Sequence, residues 1–179
     1  MKLELKHLAP YLPYGLKIRN IEVGKTRTLI HEHELPTESA IRRNVSIKML
    51  LLTNHINKPI LRPLSDLTKE IEVNGEVFIP IIKLFNLLDS SDYVDYRGNF
   101  DIPKTQIDDG WNHCLSYGDV LKSELCFSYG NNSFLLMVDD EVALVSNQLY
   151  LINKLFEYHF DVFGLIEKGL AIDINTLKL

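Results

Sequence analysis

Cysteine is nearly absent from this sequence: Cys114 and Cys126 are the two in 179 residues, and neither belongs to a Cys-x-x-Cys pair. Zinc and redox motifs built on paired thiols are therefore excluded, and both thiols are expected to be reduced and unbridged. Long apolar runs are missing too. Met49–Leu52 and Phe134–Val138 fall far short of the roughly 20 residues that span a bilayer, so no transmembrane helix is expected. Met1 to Leu8 alternates charge with apolarity where an export signal needs a continuous apolar stretch, and the expected setting is the cytoplasm. There is no internal repeat, low-complexity tract or Gly-x-Ser-x-Gly elbow, and Gly164–Gly169 has the wrong spacing for a phosphate loop. No cofactor is implied. An excess of basic charge is also lacking: 24 acids against 19 bases give −5, so the mean field disfavours nucleic acid unless the bases are strongly segregated.

What the chain does have is core-forming material. Hydrophobic residues make up 46%, which lifts it clear of the disordered class, and its length suits one globular domain over 1–179. Leu16–Ile21 and Arg27–Ile30 alternate with period two around Gly24-Lys25 and predict a β-hairpin. Residues 38–52 mix helical spacing with β-branched Val45 and Ile47 and support neither state outright. Ser65 is placed to cap a short helix through Ile71, ended by Asn74-Gly75, and Pro80 to begin one reaching about Leu88. Residues 89–118 lack periodicity and predict a long loop or insertion. Leu125–Tyr129, Ser133–Val138 and Val142–Val145 predict a three-stranded meander. Ser146 or Asn147 then caps a helix with Leu149, Ile152, Leu155, Phe156 and Phe160 on one apolar face. The class is α+β, with helices on a small, mostly antiparallel sheet.

Three segments carry a resemblance: His7–Lys17 (HLAPYLPYGLK), Ile60–Leu67 (ILRPLSDL) and Lys154–Asn175 (KLFEYHFDVFGLIEKGLAIDIN). In that order they resemble a family of small proteins of phages, prophages and related mobile elements of gut anaerobes. The resemblance covers about a quarter of the chain. It implies a bacterial cytoplasmic setting on a mobile element and carries no activity.

Candidate chemistry is sparse. His159 and Asp161 form one acid–base candidate and His113 with Asp108 another, because a carboxylate can orient an imidazole. Residues two apart on a helix diverge, however, so Asp161 is equally suited to cap whatever begins at Val162 and His159 to be a partly buried helix residue. His31 with His33, and Asp108, Asp109, His113 and Cys114, have metal-ligand chemistry without a matched further set, and no metal is expected. Tyr93, Tyr96, Trp111 and Arg62 are binding candidates by residue type, whereas Tyr11 reads as core. The leading expectation is a non-enzymatic phage or mobile-element accessory protein that binds another protein, or itself. A small hydrolase-like enzyme comes second. A nucleic-acid accessory protein comes third, its necessary sign being one face that holds Lys17, Arg19, Arg42 and Arg43.

Overall fold

A computed structural model describes residues 2–30, 44–88, 113–119, 122–138 and 141–177. Helix α1 (Leu5–Leu8) starts the chain, and Pro10 and Pro13 do not stop the coil but carry it into a tighter 3-10 turn over Ala9–Tyr14. The alternating segments become β1 (Lys17–Asn20) and β2 (Thr26–Ile30), antiparallel with Lys17 opposite Thr28. Asn20 closes the turn between them, its side-chain oxygen accepting from the Glu22 and Val23 amides. The conflicting signals around residue 45 are both right, in succession. Asn44–Ser46 is β3, and Ser46 then caps α2 (Ile47–Leu52) by accepting from the Met49 amide at 3.2 Å.

Strand β4 (Asn57–Leu61) follows, and after it the helix expected from Ser65 to Ile71 is replaced by a short 3-10 turn, Leu64–Asp66. Ile71–Val73 is instead β5, paired with β6 (Glu76–Phe78). Asn74 and Gly75 lie at φ 54° and 84°, so this dipeptide makes a hairpin turn and not a helix stop. Pro80 opens α3 (Pro80–Phe85) as its fixed φ favours. The loop expected at 89–118 lies outside the described residues up to 112, and its last six residues belong to β7 (His113–Asp119). Strands β8 (Lys122–Gly130), β9 (Ser133–Val138) and β10 (Glu141–Ala143) complete the meander. Helix α4 (Gln148–Glu157) and the short β11 (Ile172–Asp173) end the sequence of elements.

The described strands form a five-stranded sheet in the order β11-β4-β1-β2-β3, a four-stranded sheet β10-β9-β8-β7, and the β5-β6 ribbon. Pairing is antiparallel except for β11 with β4 and β2 with β3. The fold is therefore α+β. By contact density the chain divides into two compact units, residues 1–63 with 155–179, and residues 64–154, the boundary falling inside α4.

Each unit has its own core. In the first, Leu16, Ile18, Leu29, Val45 and Leu61 line one face of the five-stranded sheet and are at most 1% exposed. In the second, Phe85 of α3 meets Phe127 edge-on at 5.6 Å, and Phe127 stacks on Phe134 at 5.4 Å. Cys126 is partly buried on β8. Leu149 departs from the expected apolar face of α4: it is 72% exposed, while Leu151 and Leu155 are fully buried. Phe160 is also buried, although the helix ends at Glu157 and His159 turns back at φ 59°.

Candidate functional site

The densest buried polar chemistry lies in the first unit, where the amino-terminal turns meet the segment after α4. Tyr11, fully buried, donates its hydroxyl to the Phe160 carbonyl at 2.6 Å and sets its ring edge-on to Phe156 at 5.0 Å. His7 is 3% exposed and lies edge-on to Phe163, and its Nδ1 accepts from the Glu4 amide at 3.0 Å. Only an unprotonated Nδ1 can accept, so the packing selects the neutral imidazole. Burial, with Lys6 next in effect, holds His7 below the ordinary histidine value.

His159 and Asp161 stand here, and they serve the backbone. His159 Nε2 lies 3.0 Å from the Tyr14 carbonyl, which can only accept, so that nitrogen carries the proton. Burial again lowers the pKa of this imidazole, against the opposing pull of the carbonyl. Asp161, 4% exposed, accepts from the Leu165 amide at 2.8 Å through one oxygen and from the Ile166 amide at 2.7 Å through the other. It caps the turn after Val162. Burial raises its pKa, with both backbone amides pulling the other way. Between the two residues, the chain at Phe160 pairs with Arg62: the Arg62 amide donates to the His159 carbonyl and the Asp161 amide to the Arg62 carbonyl, each at 2.8 Å. The segments His7–Lys17, Ile60–Pro63 and Leu155–Asn175 thus converge on one latch.

An acid–base pair needs one side chain to address the other, and here each takes a separate backbone partner. Of the other candidates, Arg62 is half-buried at the latch, and His113 opens β7 opposite Tyr129. Asp108, Asp109, Tyr93, Tyr96, Trp111, His31 and His33 lie outside the described residues. Among the described residues, no group of three or more His, Cys, Asp or Glu could hold a metal ion. No helix among them is long and apolar enough to cross a membrane.

The second unit shows the opposite surface chemistry. Val142, Leu144, Leu149 and Tyr150 are 71%, 87%, 72% and 48% exposed, all within the nine residues from β10 into the first turn of α4. Glu141, Val142 and Ala143 of β10 line an open groove with Val138. Where β10 stops pairing, the Gln148 side chain takes its place on β9, accepting from the Phe134 amide at 2.8 Å and donating to the Phe134 carbonyl. That substitution ends the sheet edge without a further strand. Pattern reading missed this surface because an apolar residue before an amphipathic helix looks the same whether it is covered or not.

Comparison with protein-family models, with curated proteins and with solved structures gives no match to this chain.

Proposed function

We propose that this protein is a non-enzymatic accessory protein that docks a partner protein on the β10–α4 surface of its second unit. One observation carries the reading: four large apolar side chains, Val142, Leu144, Leu149 and Tyr150, stand exposed within nine residues. Such a cluster is costly to leave in water and is commonly a recognition surface. The partner's chemistry follows from the surroundings. The second unit contains fifteen Asp and Glu against six Lys and Arg, and Asp139, Asp140 and Glu141 adjoin the cluster in sequence. An apolar contact surface rimmed by Lys or Arg is complementary to it. The resemblance to phage and mobile-element proteins supports an accessory role in a bacterial cytoplasm. The acid–base reading draws no support from the latch, whose His159 and Asp161 are engaged by backbone groups.

The double variant Leu144→Asp with Leu149→Asp tests the proposal. Both sites are solvent-exposed, so the melting temperature should stay within the spread of ordinary surface substitutions. Capture of a defined partner from host lysate, or self-association seen in the mass of the purified chain, should be lost. A monomeric chain that captures nothing, or capture unaffected by the variant, refutes it.

A further inference from the structure

We infer that the side of the five-stranded sheet bearing Lys17, Arg19 and Lys58, in the first unit, binds the phosphate backbone of nucleic acid. The whole-chain charge of −5 hides a division. The first unit holds thirteen Lys and Arg against nine Asp and Glu, while the second holds six against fifteen. The excess of acids that disfavours phosphate therefore belongs to the second unit alone.

Register shows where the bases go. Side chains alternate along a strand, and Ile18, Leu29 and Leu61 take the core side, so their neighbours take the other. The positions on that other side are Lys17 and Arg19 of β1, Thr26, Thr28 and Ile30 of β2, Ser46 of β3, Lys58 and the buried Ile60 of β4, and Ile172 of β11. No carboxylate occurs among them. Asp173, the acid of β11, pairs with Leu61 on the core side and uses its side chain on the Asn175 amide. The turn joining β1 and β2 carries Glu22 and Lys25, which offset each other.

Arg19 lies directly opposite Lys58 in the antiparallel register. Like charges at directly opposed positions, whose Cβ atoms lie about 5 Å apart, weaken a sheet. Among the described residues, neither is in an ion pair with a carboxylate. Lys58 turns its ammonium to the Gly169 carbonyl at 2.6 Å, and Lys17 turns to the Thr28 hydroxyl at 2.9 Å. A bridging anion relieves the repulsion. The residue types then choose among anions: lysine is depleted at protein interfaces, and the face has no aromatic anchor, whereas Lys, Arg, Ser, Thr and Asn are the side chains that contact phosphate. Arg42 and Arg43, expected on the same face, lie outside the described residues.

The test is anisotropy of a short labelled DNA duplex, and of its single strand, titrated with the full chain from about 50 to about 200 mM salt. Three neutralised phosphates predict that log K falls against log salt with a slope of about −2 to −3. Arg19→Gln and Lys58→Gln should each reduce that slope by about 1, and Lys2→Gln, at an exposed position ahead of α1, should leave it unchanged. A second readout checks folding: each of the two sheet variants should melt no lower than the native protein, because each removes the like-charge pair. Absence of binding at the lowest salt overturns the proposal, as does binding indifferent to both variants. Preferential, salt-sensitive binding of polyglutamate, or self-association through the acidic unit, overturns it in favour of an acidic protein partner.

Discussion

The latch of the first unit and the β8–β10 sheet of the second treat buried polar groups in opposite ways. In the latch, the Tyr11 hydroxyl, the His7 and His159 imidazoles and both Asp161 oxygens each have a backbone partner. In the second unit, the Ser128 and Tyr129 hydroxyls and the Asn147 side-chain oxygen are buried without a hydrogen-bond partner among the described residues. Burial pushes the Tyr129 phenol up to about 12. The same unit exposes Val142, Leu144 and Leu149. The latch commits its hydroxyl, imidazole and carboxylate groups to backbone partners, so these chemistry-bearing residue types are structural there. A region that leaves polar atoms unmatched inside and apolar atoms uncovered outside is where binding is to be sought.

The comparison breaks first at Phe156, whose ring meets Tyr11 and Phe163. If the latch is core, Phe156→Ala should cost on the order of 3–5 kcal/mol, read by urea or thermal unfolding. A Phe156→Ala protein that melts normally would show the latch to be a surface.

A lesser, reversible loss should come from acid. His7 and His159 both have lowered pKa values in the folded chain, so between the ordinary histidine value and those lower ones the unfolded chain binds more protons. Stability is then full above about pH 6.5 and falls as pH drops below it. Asp161 acts with the opposite sign, its raised pKa favouring the folded state as pH falls toward the carboxylate range, so the histidine effect is best read above that range. Lys6 and Lys168 face His7 with like charge, and Glu4 opposes them; Arg62 and Lys17 do the same to His159. His7→Asn keeps an acceptor for the Glu4 amide but cannot titrate, and should remove the His7 share of the slope in melts across pH. An unchanged slope would assign it elsewhere.

Two hydroxyl deletions give the smallest and sharpest contrast. Tyr11→Phe should cost about 1 kcal/mol, because the buried Phe160 carbonyl loses its donor. Tyr129→Phe removes a hydroxyl that has no partner among the described residues and should be neutral or slightly stabilising in the same melts. Equal losses at both sites would erase the distinction between the two regions.

By itself the sequence determined several elements that rest on neighbours along the chain, though not the helix expected from Ser65, where a 3-10 turn and β5 stand instead. Alternation at 16–30 and 125–143, the Asn-Gly turn signal and Pro80 at a helix start depend on contacts within a few residues, and each is present. The partner of a strand or a carboxylate is a long-range matter, and there the sequence was silent. Nothing in Ile172-Asp173 announces a parallel partner at Ile60-Leu61, and nothing local separates a catalytic Asp161 from one that caps Leu165 and Ile166. Leu149 and Leu155 are the same residue type on one helix, yet one is 72% exposed and the other fully buried. Tertiary structure decided these points, because burial and register are properties of the assembled surfaces, and the charge division between the two units became visible only once distant segments had been sorted into each.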